Sequence, residues 1–362
     1  MKRIVFLDYV RVFACFLVMV VHASENFYGA EGSTDMAGPQ SYLATESDRL
    51  WVALYDGFSR MAVPLFMIVS AYLLVPMKEE QTSWQFYRRR FTHILPPFFI
   101  FMFLYSVLPL LWGQIDEETS LKDLSRIVLN FPTLAGHLWF IYPLLSLYLF
   151  IPVISPWLRK VTAKEELFFI SLFLLSTCMP FLNRWFGDVW GQCFWNEYHL
   201  LWYFSGYLGY LTLAHYIRVH LTWNNSKRIV AGLISMTVGA FLTIYSFYSQ
   251  AIPGVILSTP EIEIGWAFCT INCVLLTGGA FLLFSCINLP QTPRLIAEMS
   301  KFSYGIYLMH IFWLGLWVIV FKRQLELPTV AAIPSIAAST FICSFLTAKI
   351  ISFIPGSKWI IG

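Results

Sequence analysis

The stretch LDYVRVFACFLVMVVHAS, residues 7–24, decides the fold class of this chain. A helix that crosses a membrane needs about 20 mostly apolar residues, and this run is almost unbroken. It nevertheless carries Asp8 and Arg11 near its start and His22 at its end. An ionisable side chain at membrane depth costs about 2.5 kcal/mol or more. We therefore expect these three residues to face the interior of a helical bundle and to serve a pathway or a reaction.

The composition is that of a polytopic membrane protein. Hydrophobic residues make up 58% of the 362 residues and charged residues only 12%, far from the balance of a soluble domain. The net charge of +3 does not suggest a nucleic-acid partner. The seven cysteines lie mostly in apolar runs without a C-x-x-C pair, so we expect buried thiols and no disulfide framework. The polar run ASENFYGAEGS after His22 favours a retained first helix over a cleaved signal peptide.

Ten apolar segments have a length that suits membrane spans. With both termini in the cytoplasm, sixteen of the 24 Lys and Arg residues fall on the cytoplasmic side, as the positive-inside rule requires. Fifteen of the 21 acidic residues fall on the outer side, which suggests a polar substrate there. We predict one integral-membrane domain over residues 1–362, an all-α bundle of about ten spans. The expected spans are residues 4–23, 54–76, 91–112, 133–155, 165–182, 199–214, 228–248, 265–287, 302–321 and 329–352.

Arg11 and His22 are predicted to share one face of the first helix. Eleven residues make almost three turns, so the two side chains project in the same direction about 16 Å apart along the axis. Glu25, one turn beyond His22, is close enough to orient the imidazole, whereas Arg11 is too distant to activate it. The alternative is that Arg11 pairs with Asp8 and reaches the lipid headgroups while His22 sits at the interface.

Several basic residues follow in the stretch WQFYRRRFTHILPP, residues 84–97. Arg88, Arg89, Arg90 and His93 could form a cytoplasmic mouth that holds phosphates, because guanidinium groups match phosphate oxygens. The alternative is an ordinary helix start that fixes topology and binds anionic lipid headgroups. This stretch by itself favours the second reading.

Two further stretches place polar side chains in or near spans. GHLWFIYPLLSLYLFIPVI begins with His137 and Trp139 at the outer end of a span, where an interfacial aromatic belt is the alternative to substrate binding. In SKFSYGIYLMHIFW, Ser303, Tyr307 and His310 share a helix face. A polar seam between helices explains that face as well as a cofactor site does.

The remaining candidates have less support. Arg60 could meet a substrate anion or pair with Asp56 one turn earlier, and the sequence does not separate the two. His199, His215 and His220 have no partner pattern, so structural roles are expected. No metal-ligand cluster, phosphate-binding loop or nucleophile elbow is recognisable, and no metal is predicted.

The motifs together resemble the acyltransferase family 3 membrane proteins. LDYVRVFACFLVMVVH is similar to that family's basic residue, ten residues and His, with an acid three positions before the basic one. VPLFMIVSAYLL, HLWF and SYGIYLMH are similar to its later motifs, in the same order, over residues 5 to about 320. Ala71 stands where the family usually has Gly. The resemblance is to stand-alone members that lack an appended extracytoplasmic domain.

The resemblance implies a function. An acyl group, usually acetyl, would move from cytoplasmic acyl-CoA to a hydroxyl of an extracytoplasmic or lipid-linked glycan, in the inner membrane of a bacterium and in contact with membrane lipid. His22 would be the catalytic residue and Arg11 its basic partner. Arg88, Arg89 and Arg90 would contact the phosphates of coenzyme A, with His93 where many members have another Arg. A secondary transporter or flippase for a glycan is the alternative from another class.

Overall fold

The computed structural model describes residues 3–28, 43–193, 195–256 and 259–362, and within them the protein is 74% helix with no strand. This confirms the predicted all-α bundle. The helices in chain order are α1 Val5–Glu25, α2 Glu46–Ser59, α3 Ala62–Leu74, α4 Ser83–Leu111, α5 Glu117–Arg126, α6 Ile141–Leu158, α7 Ala163–Ser176, α8 Met179–Phe186, α9 Leu208–Val219, α10 Asn225–Gln250, α11 Thr259–Ile262, α12 Ile271–Phe284, α13 Arg294–Val318, α14 Thr329–Ile351 and α15 Lys358–Ile361.

Nine helical stretches in the described ranges are long and apolar enough to cross a membrane. Several of them join two elements, because short 3-10 turns at Gly136–Phe140 and Ile264–Trp266 precede α6 and α12, and a π-helical turn at Ile319–Gln324 extends α13. The nine stretches are Val5–Glu25, Glu46–Leu74, Ser83–Leu111, Gly136–Leu158, Ala163–Phe186, Asn225–Gln250, Ile264–Phe284, Arg294–Gln324 and Thr329–Ile351.

The predicted span 199–214 is built differently from the other nine. A 3-10 turn, His199–Phe204, is followed by Gly206 at φ 75°, and only then does α9 begin. A positive φ breaks the helical path, and glycine adopts it without strain. The 12 residues of α9 rise only about 18 Å, which is less than the roughly 30 Å apolar core of a bilayer.

Helix α1 lies at the centre of the bundle. It packs against α2, α3, α13 and α14, and Val10, Ala14 and Met19 are fully buried. A helix that is apolar on nearly every face is stable only when other helices surround it or lipid covers it. The polar side chains of α1 are therefore held inside the protein.

A break between α2 and α3 positions one of the candidate residues. The apolar stretch from Glu46 to Leu74 is interrupted at Arg60 and Met61, where the chain makes a turn before α3 starts. The predicted span 54–76 therefore starts eight residues too late. The turn leaves the Arg60 side chain directed at the end of α1.

Helices α10 and α12 approach each other more closely than their neighbours do. A Cβ atom on Gly239 would lie 2.4 Å from the Leu276 backbone nitrogen, and one on Gly279 would lie 2.5 Å from the Met236 backbone nitrogen. Small residues at such positions allow helix backbones to meet inside a membrane. These two helices form one wall of the bundle.

Candidate active site

His22 and Glu25 form a buried pair on the last turn of α1. The His22 Nδ1 atom lies 2.7 Å from Glu25 Oε2, and each side chain is only 10% exposed. When Glu25 is ionised it can only accept a hydrogen bond, so Nδ1 carries the hydrogen and Nε2 of the neutral ring keeps its lone pair. The pair thus has the arrangement of a base held by an orienting carboxylate.

Arg60 anchors the other side of Glu25. The guanidinium lies 2.7 Å from Asp56 Oδ1 and 3.3 Å from Glu263 Oε1, and its Nη2 is 4.0 Å from Glu25 Oε1. The Tyr28 hydroxyl donates to Glu263 at 2.5 Å and accepts from Arg60 at 3.1 Å. We call these five residues the buried ion cluster: Glu25, Tyr28, Asp56, Arg60 and Glu263.

The buried ion cluster fixes the direction of the Glu25 carboxylate. Arg60 also lies over the Trp266 ring at 4.4 Å, so its guanidinium contacts an aromatic face as well as the carboxylates. Burial, together with the Glu263 and Asp56 carboxylates, raises the pKa of the Tyr28 phenol, which therefore keeps its proton and donates. Of the two alternatives for Arg60, the structure shows the pair with Asp56.

Two more imidazoles complete the site. The His22 ring stacks on His310 with centroids 5.1 Å apart, and His137 meets His310 edge-on at 4.9 Å. We call His22, His137 and His310 the histidine cluster. All three are buried, although they come from three elements distant in sequence. His22 and His137 are site residues predicted from the sequence, whereas His310 had no predicted role.

Backbone contacts set the direction of the two added rings. His310 Nδ1 lies 2.6 Å from the Tyr307 carbonyl oxygen and must donate to it, which leaves Nε2 as an acceptor. That Nε2 and His137 Nδ1 are buried without a hydrogen bond to any described residue. Such atoms cost free energy unless a polar group of a substrate or a water meets them.

Ser303 and Tyr307, predicted to bind the cofactor, have their hydroxyls engaged within the protein. Ser303 donates to the Ser300 carbonyl at 3.0 Å, and Tyr307 donates to the His137 carbonyl. Tyr307 therefore positions the turn that carries His137. Trp139, on the same turn, stacks on Phe268 with centroids 5.4 Å apart and stays partly exposed, which leaves it able to line an acceptor site.

Arg11 lies at the opposite end of α1 and makes no contact with His22. Its expected partner, Asp8, is 3.9 Å away and is held by other groups. Arg3 reaches Asp8 at 2.5 Å, and the Thr292 and Ser300 hydroxyls donate to it at 2.7 Å. Arg3 approaches Asp8 more closely than Arg11 does, and the two cations share this carboxylate.

Of the predicted phosphate-binding residues on α4, only Arg90 is partly buried. Both it and Arg11 interact electrostatically with Tyr148. Arg88, Arg89 and His93 lie on the exposed face of α4. The sequence treated these four as one mouth, but the helix period sends Arg90 inward and the other three outward. We call Arg11, Arg90 and Tyr148 the basic cluster.

Sequence reasoning missed several members of the site. Tyr28, Asp56 and Glu263 come together through the fold, and Glu263 is 203 residues from Arg60. Asp56 had a detectable signal, since it precedes Arg60 by one helical turn. His310 had one too, because it shares a face with Ser303 and Tyr307. Glu263 lies between short helical elements and had none.

The geometry is that of a buried, oriented imidazole at one end of a central helix and a pair of cations at the other. Comparison with known proteins adds one finding: a family model described as an acyltransferase domain matches residues 4–349, nearly the whole chain. No curated protein and no solved structure matches the chain significantly.

Proposed function

Because the chain belongs to the acyltransferase domain family and is a multi-pass membrane acyltransferase, we propose a specific transfer reaction for it. An acetyl group moves from cytoplasmic acetyl-CoA to a hydroxyl of an extracytoplasmic or lipid-linked glycan. The observation that carries this proposal is the 2.7 Å contact between His22 and Glu25, backed by the buried ion cluster. The family favours this enzyme over a transporter or flippase.

His22 is the proposed general base. Its Nε2 takes the proton of the glycan hydroxyl while that oxygen attacks the thioester carbonyl carbon. The carbon–sulfur bond then breaks, and the imidazolium returns its proton to the departing sulfur of coenzyme A. Glu25 stabilises the imidazolium and keeps the ring in the required tautomer, in the manner of the carboxylate in a catalytic triad. A second route, in which His22 carries the acetyl group as an acyl-imidazole, uses the same geometry.

His310 and His137 would serve the same reaction from the other side of the His22 ring. His310 offers an acceptor Nε2 close to His22, and His137 lies within ring contact of both. An acceptor hydroxyl or a water that bridges these nitrogens would satisfy their hydrogen-bonding capacity. We propose that the two rings position the acceptor, with Trp139 as an apolar platform for a sugar ring.

Coenzyme A would bind at the basic cluster. Its phosphates need fixed cations, and Arg11 and Arg90 are partly buried guanidinium groups at the cytoplasmic end of the bundle predicted by the positive-inside rule. Arg88, Arg89 and His93 would meet only phosphates that extend outside the bundle. The pantetheine arm would cover the roughly 16 Å between Arg11 and His22 along α1.

For the acceptor, the best model is the resemblance to stand-alone proteins similar to the enterobacterial common antigen O-acetyltransferase. We therefore propose a polysaccharide repeat unit or its lipid-linked precursor as acceptor, and the inner membrane of a bacterium as location. Mass spectrometry of surface glycans from cells with and without the intact protein tests this. Loss of one acetyl substituent per repeat is expected, and an unchanged glycan would contradict the acceptor.

Transfer of radiolabel from acetyl-CoA to membrane glycan tests the catalytic role. His22→Ala should abolish transfer while the protein still elutes as a folded species. Ser24→Ala, on the same turn, is the matched control, because it removes only a hydroxyl that donates back to the Val20 carbonyl. Wild-type product yields from His22→Ala would remove His22 from the chemistry. Substrate flux without release of coenzyme A would support the transporter instead.

The donor site has a separate test. Arg90→Ala should raise KM for acetyl-CoA by about tenfold, since one charged hydrogen bond to phosphate contributes about 1.5 kcal/mol. KM for the acceptor should stay unchanged. Lys160→Ala removes an exposed cation from the loop before α7 and is the control. An unchanged KM for acetyl-CoA in Arg90→Ala would move the donor away from the basic cluster.

A further inference from the structure

A second cluster of ionisable side chains lies outside the proposed catalytic machinery. Glu166 is on the first turn of α7, His215 is near the end of α9, and His220 caps that helix. His215 Nδ1 is 2.8 Å from Glu166 Oε1, and His220 Nε2 is 3.3 Å from Glu166 Oε2. The sequence showed no partner for either histidine, and the structure corrects this with a glutamate 49 residues from His215.

The carboxylate of Glu166 is fully buried, and two imidazoles face it. Among the residues that the structure describes, its ion-pair partners are these two histidines, and no Lys or Arg reaches it. Glu166 Oε2 and His220 Nε2 are both buried, and neither makes a hydrogen bond in the described ranges despite facing each other. A buried carboxylate is costly unless a cation or several hydrogen bonds meet it.

The donor set also matches the ligands of a metal site, although the 2.8 Å contact of His215 with Glu166 is by itself a hydrogen-bond distance. Two imidazole nitrogens and one carboxylate oxygen are ligands that zinc takes in proteins. The three ligand atoms all lie within 4.8 Å of one another. Tetrahedral bonds of about 2.0–2.1 Å place ligand atoms roughly 3.4 Å apart, and the 3.3 Å separation of Glu166 Oε2 and His220 Nε2 agrees with that spacing.

We propose that Glu166, His215 and His220 bind one divalent transition-metal ion, with zinc as the best fit, and that this ion clips the end of α9 to the start of α7. The metal would stabilise the position of α9, because this helix is too short to cross the bilayer and its end needs another anchor. Between the two histidines, Arg218 donates to the Tyr72 and Val75 carbonyls at the end of α3. The ion would therefore fix three helices at one end of the bundle.

The test measures zinc on the full chain in detergent, purified with a tag that contains no histidine. Chelator-stripped protein is titrated with ZnCl2 against a chromophoric competitor, and bound metal is counted by elemental mass spectrometry. We expect saturation at one zinc per chain and a rise in melting temperature on zinc addition, since a ligand that binds only the folded state stabilises it.

Variants separate this site from adventitious zinc. Glu166→Gln keeps the side-chain shape but removes the charge, and should weaken zinc at least about tenfold. His220→Gln, at the helix end, gives the same test if Glu166→Gln fails to fold. His93→Asn removes an exposed histidine on α4 and should leave zinc affinity unchanged. The proposal would be overturned if wild-type protein bound no saturable zinc, or if both cluster variants kept the wild-type affinity. The three residues would then form only a carboxylate–imidazole hydrogen-bond network.

Discussion

At the scale of single residues, two ion pairs of α2 differ in burial and should therefore differ in their contribution to stability. Asp56 and Arg60 pair at 2.7 Å with 0% and 7% exposed side chains, whereas Glu46 in its pair with Arg49 is 66% exposed. Removing the Asp56 charge takes the nearest of three carboxylates from the buried Arg60 guanidinium and leaves only the more distant Glu263 and Glu25. We predict that Asp56→Asn lowers the free energy of unfolding by up to about 3–5 kcal/mol, the cost of breaking a buried pair.

Glu46→Gln is the matched control, because it neutralises an acid paired with an arginine one turn away on the same helix. An exposed pair contributes about 0–1 kcal/mol, so this variant should melt close to wild type. Melting of both variants in one detergent gives the comparison. Equal melting temperatures would mean that water reaches Asp56 and that the buried ion cluster does not depend on its charge.

Glu25 gives a prediction about rate rather than stability. Glu25→Gln can still accept the hydrogen of His22 Nδ1, but it does not stabilise the imidazolium that forms during transfer. We expect kcat to fall roughly 10²–10⁴-fold, as for the orienting acid of a triad. KM for both substrates should change little, because the side-chain shape is kept. A variant with wild-type kcat would show that Glu25 only packs against His22.

Periodicity predicts contacts within a helix better than contacts between helices. The contact of His22 with Glu25 follows from their spacing on α1, and the structure contains it. The pairing of Asp8 with Arg11 followed from the same reasoning, and the structure contains it at 3.9 Å, but Arg3, Thr292 and Ser300 hold Asp8 more closely. Two of those partners come from the region of α13, and no spacing rule in one sequence brings them to α1.

At the scale of helices, adjacent glycines on α12 give a sharp contrast. A Cβ on Gly279 would lie 2.5 Å from the Met236 nitrogen of α10, whereas the nearest atom to a Cβ on Gly278 is 3.9 Å away. Gly279→Ala must push two backbones apart, and overpacking costs about 1–3 kcal/mol. Gly278→Ala should be neutral or stabilising by up to about 1 kcal/mol, since alanine favours helix.

The measurement for the glycine pair is the melting temperature of each purified variant. Gly279→Ala should melt lower than wild type, and Gly278→Ala should melt at or above it. If both variants behaved alike, the close approach of α10 and α12 would not be a property of the folded protein in detergent.

Hydropathy predicted the positions of most helices well. It failed where the backbone conformation determines whether an apolar segment is one continuous helix. The apolar run 199–214 reads as a span because it is rich in Leu, Tyr and Trp. Its first half is a 3-10 turn closed by Gly206, and a hydropathy average does not register that single positive φ. In the same way, a hydropathy average does not register the turn at Arg60 and Met61, which directs Arg60 toward Glu25. The sequence signal for this turn is Pro64, which has no N–H to donate to the Arg60 carbonyl.

At the scale of the whole molecule, the residues of the site come together only through the packing of distant helices. The charge count over the loops predicts the sides of the membrane, and the order of motifs predicts the family. The histidine cluster, by contrast, joins α1, the turn before α6 and α13, and the buried ion cluster adds the segment between α11 and α12. Helix packing inside a membrane depends on shape and on polar contacts, and neither is readable from one chain.

The two ends of α1 lead to a prediction about sidedness. If acetyl-CoA binds at the basic cluster and transfer occurs at His22, the donor must reach the protein from the cytoplasm, because a highly charged molecule does not cross the bilayer. Inside-out membrane vesicles that contain the protein and its acceptor should acetylate glycan when labelled acetyl-CoA is added outside. Sealed right-side-out vesicles should not, until a detergent opens them. Equal labelling in both sealed preparations would show that acetyl-CoA also reaches its site from the outer face, and would contradict donor binding at the cytoplasmic end of α1.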